Sequence, residues 1–154
     1  MGQIEGLPVE YLEYHDPESQ VAALRKVLSQ FAREPGFNVT DVVILSPYRF
    51  ERSAAGEIGN RGDFQIKPAD SLRLPASRIP TFAFATVQAF KGMESKAVVL
   101  CDINKIETEE DRSLLYVAMS RARSHLTVLL HKRTKIAVRT AFKKRMTELW
   151  GTDL

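Results

Sequence analysis

The sequence predicts an α/β domain with a mainly parallel sheet and helices on both of its faces. Three observations lead there. Strand-like and helix-like segments mostly alternate along the chain. DVVILS (41–46) and KAVVLCDI (96–103) are apolar almost throughout, as strands covered on both faces are. The helix-like segments place apolar residues at helical spacing on one face, suited to packing on a sheet.

In order, PVEYLEYH (8–15) alternates apolar and polar residues and reads as a strand. Asp16 followed by Pro17 reads as an N-cap and a first helical position. Val21, Leu24, Leu28 and Phe31 give the helix its apolar face, and Pro35-Gly36 stops it. After the strand 41–46 a short helix is expected around 50–57. Residues 56–80 hold Gly56, Gly59, Gly62, Pro68, Pro75 and Pro80 and read as an irregular insertion with one or two short strands. Its RGD tripeptide, 61–63, is taken as a chance turn. TFAFATV (81–87) and KAVVLCDI are strands. Thr108, with Glu109, Glu110 and Asp111 behind it, starts a helix that runs through LLYVAMS. HLTVLL (125–130) is a further strand. The last helix, about 134–149, offers Ile136, Val138, Phe142, Met146 and Leu149 as its apolar face.

A length of 154 residues suits one domain with a single core. No apolar run approaches the roughly 20 residues of a membrane span, so no membrane partner is expected. The one cysteine, Cys101, sits inside AVVLC and reads as a buried strand residue; the absence of a disulfide pair implies a reducing, cytoplasmic setting. The net charge of +3 is unevenly spread: residues 1–119 are net −4 and residues 120–154 net +7. A basic final quarter suits a polyanion or a solvated helix face.

Some chemistry is excluded. No glycine is followed by lysine, so there is no GxxxxGK[ST] phosphate loop, and there is no GxGxxG dinucleotide turn. His15, His125 and His131 are dispersed without metal-ligand spacing, so no metal site is assigned. AVVLCD has the apolar-strand-then-Asp form that holds magnesium in nucleotide hydrolases, but the phosphate loop that would accompany it is missing.

Two stretches stand out. ATVQAFKGMES (85–95) leaves a strand with Lys91-Gly92 and then presents Glu94: a close backbone approach, a cation for phosphate and a carboxylate for a sugar hydroxyl. LLYVAMSRARSHLTVLL (114–130) carries Arg121 and Arg123 inside an otherwise apolar run, where arginine needs an anionic partner or a helix C-terminus.

Together these stretches resemble the second motor domain of superfamily 1 DNA helicases of the UvrD/Rep type. Thr86, Gln88, Lys91, Gly92 and Glu94 match that family's motif V over 86–94. Leu115, Tyr116, Val117, Ala118, Ser120, Arg121, Ala122 and Arg123 match its motif VI over 114–123. DVVILSPYRFERS (41–53) resembles the strand and turn that precede motif V. The resemblance covers about residues 8–131. Ser120 stands where the family usually has threonine, and Gln88 where many members have histidine; both keep a hydrogen-bonding group. Residues 54–80 are too short for the large insertion subdomain of the long helicases.

The resemblance implies one three-layer α/β/α RecA-like (P-loop NTPase-like) domain over 1–154 that lacks its own P-loop. It implies Arg121 as the arginine finger of an ATP hydrolase, with Glu94 at the ribose and Gly92 and Tyr116 in the nucleotide pocket, Tyr116 packing under the finger. Thr86, Gln88 and Lys91 would face single-stranded DNA or couple it to the ATP site, with Ser46, Tyr48 and Arg52 contacting the DNA backbone. Arg123 would pair with a carboxylate. ATP and Mg2+ would be held mainly by an N-terminal RecA-like ATPase domain, and without that domain the chain is expected to be inactive. The alternative is a non-catalytic module that keeps the half-fold, binds nucleic acid through its basic quarter and has lost the motor.

Overall fold

The computed structural model describes residues 9–59, 62–69 and 79–150, the side chains of Met146, Leu149 and Trp150 excepted. Arg61 of the RGD tripeptide, Pro75 of the expected insertion, and the last two apolar positions expected on the final helix lie outside the described set.

The element order is β1 Val9–Tyr14, α1 Pro17–Arg33, β2 Val42–Ser46, α2 Ala54–Ile58, β3 Gln65–Pro68, β4 Thr81–Thr86, β5 Ser95–Ile103, α3 Glu109–Met119, β6 Ala122–His131 and α4 Lys135–Trp150. The six described strands form one sheet in the order β1-β6-β5-β2-β4-β3, and every pairing is parallel. The α/β reading therefore holds, and β3 is the short strand expected within 56–80.

Strand alternation splits the core into two layers. Val42 and Ile44 of β2, with Ala97, Val99 and Cys101 of β5, pack against Leu24, Val27 and Leu28 of α1 and Ile58 of α2. Val43, Leu45, Val98 and Leu100 face the other way, onto Leu115 and Ala118 of α3 and Val138 of α4. β2 and β5 are apolar on both faces because both faces are covered.

The helix starts follow local chemistry. The Asp16 carboxylate accepts from Ser19 N–H at 2.7 Å, and Ser19 Oγ accepts from Asp16 N–H at 3.2 Å. Thr108 and Asp111 make the same reciprocal pair at the start of α3. The segment expected as one short helix at 50–57 is a 3₁₀ turn, Phe50–Arg52, followed by α2 with Ser53 as its cap. At Gly56 any Cβ would run into the carbonyl oxygen of Phe50, so α2 needs glycine there to sit on that turn.

One face assignment is corrected. Ile136 is 79% exposed, while Val138, Ala141 and Phe142 turn inward. Residues 136 and 138 are roughly 200° apart on a helix and cannot share a face. No described helix is long and apolar enough to cross a membrane.

Candidate nucleotide and nucleic-acid site

The register places the motif residues at two ends of the sheet. Ser46 pairs with Thr86 at the C-terminal ends of β2 and β4, and Ser95 pairs with Ala122 where β5 and β6 begin. The segment 87–94 travels between those ends as consecutive turns. Phe90 N–H donates to Thr86 O at 3.1 Å and Met93 N–H to Phe90 O at 3.1 Å. Thr86 Oγ1 accepts from Ala89 N–H at 3.1 Å and fixes the first turn. Val87 and Phe90 anchor the segment in the α3–α4 layer, which leaves Gln88, Lys91, Gly92, Met93 and Glu94 exposed. Gly92 has φ +79°, a left-handed conformation that lets the chain turn back into β5.

Motif VI arrives at the same end by another route. α3 buries Leu115, Ala118 and Met119 and ends there; after only Ser120 and Arg121, β6 begins. Arg121 lies in that connection, its main chain tied by Arg121 N–H to Ala118 O at 3.2 Å and Ser95 N–H to Arg121 O at 3.0 Å. Its guanidinium donates to Val117 O (3.3 Å), Ser120 Oγ (3.0 Å) and Met93 O (3.4 Å). All three acceptors are neutral, and no described carboxylate pairs with it. The fork is held in place while its charge stays uncompensated. Ser120 has a role that sequence reading missed: its hydroxyl donates to Val117 O at 2.8 Å and accepts from the guanidinium, so it sets the fork's orientation.

Two neighbours differ from expectation. The Tyr116 ring lies under the Arg145 guanidinium of α4, 5.5 Å from its centroid, and only the Tyr116 carbonyl supports the turn, by accepting from Ser120 N–H. Arg123 is exposed in β6 and pairs with no described carboxylate, so the expected ion pair is replaced by a solvated cation.

The other end of the sheet is organised by Asp102. β2 leads away to β3 at one edge and β5 leads to β6 toward the other, so their adjacent C-terminal ends form the crevice where open α/β sheets bind ligands. Asp102, 6% exposed, fills the floor of that crevice with φ 65°. Its carboxylate accepts from Ser46 Oγ (2.6 Å), Gln20 Nε2 (3.1 Å), Ala54 N–H (3.2 Å) and the Cys101 thiol (3.2 Å). Its own N–H donates to Gln20 Oε1 at 2.7 Å. Burial first, then the charge of Asp102, pushes the Cys101 thiol up, so it remains protonated and donates. The Asp of AVVLCD is thus fully occupied by protein donors and leaves no free valence toward a metal.

Ser46 must be corrected as a DNA contact. It is fully buried, its hydroxyl donating to Asp102 and accepting from Tyr48 N–H at 3.0 Å, so it shapes the turn and meets no ligand. Tyr48 OH donates to Asn104 Oδ1 at 2.8 Å and ties the loop after β2 to the loop after β5. A cavity of about 270 Å³ opens beside that tie, lined by Pro47, Tyr48, Gln88, Asn104 and Leu114. Arg52 is exposed and lines a neighbouring cavity of about 450 Å³ with Glu57 and Arg133. The residues proposed for one strand of nucleic acid, Thr86, Gln88, Tyr48 and Arg52, therefore gather at the C-terminal end. Gly92, Glu94 and Arg121 gather at the N-terminal end, with Lys91 on the turn between.

Residues 81–129, from β4 through most of β6, match the family model for the UvrD-like helicase C-terminal domain. That stretch contains both motif segments, 86–94 and 114–123. No curated protein matches the chain. Among solved structures, the C-terminal domain of a possible DNA helicase from Lactobacillus plantarum WCFS1 is similar in fold, with a TM-score of 0.61 and 21% identity over 82% of this chain and 74% of that chain.

Proposed function

We propose that this chain, which carries the UvrD-like helicase C-terminal domain over residues 81–129, is the second motor domain of an ATP-dependent DNA helicase or translocase. The observation that carries the reading is the meeting of the two motifs: the Arg121 guanidinium, uncompensated by any described carboxylate, rests against the Gly92–Glu94 turn through Met93 O at 3.4 Å.

A planar, permanently charged group held on neutral acceptors suits the γ-phosphate of an ATP presented by a partner domain. ATP supplies the transferable phosphoryl group, whose negative charge spreads over its oxygens as it moves. Arg121 stabilises that charge across the domain cleft. Glu94, exposed on the same turn, accepts from ribose hydroxyls, and Gly92 lets the backbone come close. Mg2+ belongs with the partner domain, because Asp102, the one described aspartate at the C-terminal end of a strand, is spent on internal donors.

At the other end Thr86, Gln88 and Tyr48 present hydroxyl and amide groups to a single DNA strand. The turn 87–94 joins both ends in one short segment, so cleft closure on nucleotide moves the groups that grip the strand. Lys91, exposed midway, offers a cation to either phosphate.

The test pairs the chain with the domain that bears the phosphate loop. Alone, the 154-residue chain should hydrolyse ATP no faster than a variant with Lys91→Ala and Arg121→Ala. Joined to that domain, it should show hydrolysis stimulated by single-stranded DNA. Hydrolysis by the chain alone above the double-variant control sinks the proposal. No DNA-stimulated hydrolysis by the joined protein favours the non-catalytic nucleic-acid-binding module instead, and unchanged turnover after Arg121→Ala means that Arg121 is not the finger.

A further inference from the structure

Beyond Arg121 and Arg133, the cations of the basic final quarter are not used by either end of the site. α4 packs on the sheet through Val138 and Ala141, and Phe142 meets the Tyr11 ring edge-on at 6.4 Å. Several of its cations are tied down along the flanks. Lys135 pairs with Glu13 at 2.9 Å, Arg145 with Glu148 at 3.5 Å, and Lys144 lies in the field of Glu109. The outward stripe is different. Ile136, Arg139, Thr140 and Lys143 follow at the spacing of one helix face, all exposed, and Lys132 is exposed just before the helix. Lys132, Arg139 and Lys143 meet no described carboxylate. Glu148, already paired, is the only acid between Lys132 and Trp150.

We infer that this outer stripe of α4 is a second nucleic-acid surface, gripping the phosphodiester backbone outside the track formed by Thr86, Gln88 and Tyr48. Arg139 and Lys143 are about 6 Å apart along the helix axis, within reach of successive phosphates, and the Thr140 hydroxyl between them can donate to a phosphate oxygen. Ile136 stands alone as an apolar residue on the stripe, enough to touch a sugar but not an apolar face that would lie in a lipid surface. Location selects the same partner. α4 begins at the C-terminal end of β6, the end of the sheet where the proposed strand contacts open, so nucleic acid leaving that track meets Lys132 and then the stripe. This inference rests on the proposed function for the identity of the polyanion.

The test measures binding of the whole chain to a fluorescent single strand and to its duplex by anisotropy across a salt series. Removing Arg139 and Lys143 together (Arg139→Gln, Lys143→Gln) should lower the slope of log K against log salt by about 2 on duplex and somewhat less on single strand. Both positions are exposed, and an unchanged denaturation midpoint confirms that the fold is intact. Lys26→Gln with Arg33→Gln, two exposed cations on α1, should leave the slope nearly unchanged. An unchanged slope in the α4 variant overturns the inference, and the proposed function still stands. No binding by the wild-type chain at low salt also overturns it; the proposed function, which needs the partner domain for a firm grip, is untouched by that result.

Discussion

The Arg121 guanidinium donates to the Met93 carbonyl, 28 residues earlier in the chain, and to no described carboxylate. One motif thus shapes the seat and the other supplies the charge. In the joined motor, Arg121→Ala should lower turnover by roughly 10³ to 10⁵ while barely moving ATP affinity, as expected of a group that acts on transition-state charge. Arg121→Lys should recover little, because an ammonium cannot make three separate contacts in one plane. Steady-state kinetics with direct nucleotide binding decides the matter: an affinity loss with intact turnover would make Arg121 a binding group only.

Asp102 is the next position to probe. Asp102→Ala orphans the Ser46, Gln20 and Ala54 donors and should cost about 3 kcal/mol or more. Asp102→Gly orphans the same donors but relieves the φ of 65°, so it should be about 1 kcal/mol less harmful than alanine. Glycine usually destabilises a strand more than alanine does, so this reversed order would identify backbone strain. Urea midpoints of the two variants give the answer, and the ordinary order would show that the strain is negligible.

What could be read in the sequence was what is local. Asp16-Pro17 and Thr108 start their helices through partners three residues away, and the two motif segments each carry their own turn. The Asp102 hub was hidden because its partners, Gln20 and Ser46, are 82 and 56 residues distant and meet only when β5 pairs with β2 and α1 packs on that face of the sheet. Ser46 looked like a ligand contact because a strand-end serine has the same form whether it faces solvent or a buried carboxylate. The early start of β6 at Ala122 was missed because Arg123 and Ser124 are polar and the segment takes its strand form from pairing with the start of β5. Ile136 was placed inside because apolar type was read without helical phase.

Acid sensitivity should concentrate at the helix starts. Asp111 is held below the ordinary 3.8 mainly by Glu107 N–H, and Asp16 by Ser19 N–H. A carboxyl lowered in the folded state adds stability that is fully present above its unfolded value and is lost as pH falls through the lower folded one. Stability should therefore decline below about pH 4. Asp111→Asn should flatten part of that decline while lowering stability at neutral pH. The opposite limb involves Tyr11, which burial pushes from 10.0 up to about 12: its contribution is present below pH 10 and lost as pH rises through 12. Midpoints measured across pH check both limbs, and an acid limb identical in Asp111→Asn would remove the cap from the explanation.

Two glycines separate folding from function. Gly56→Ala drives a methyl into the Phe50 carbonyl and should destabilise the domain severely. Gly92→Ala meets nothing within 4 Å, so its cost is confined to the left-handed backbone at φ +79°, about 1 kcal/mol. Yet Gly92 sets the turn that carries the Met93 carbonyl to Arg121, and a relaxed turn moves it away from the guanidinium. The joined motor should therefore lose turnover sharply with Gly92→Ala at nearly unchanged melting temperature. Gly92→Asn, which tolerates a left-handed backbone better, should recover part of the loss. If Gly92→Ala turns over as fast as the wild type, the shape of this turn is not what positions Arg121, and Ser120 with the Val117 carbonyl must hold the fork.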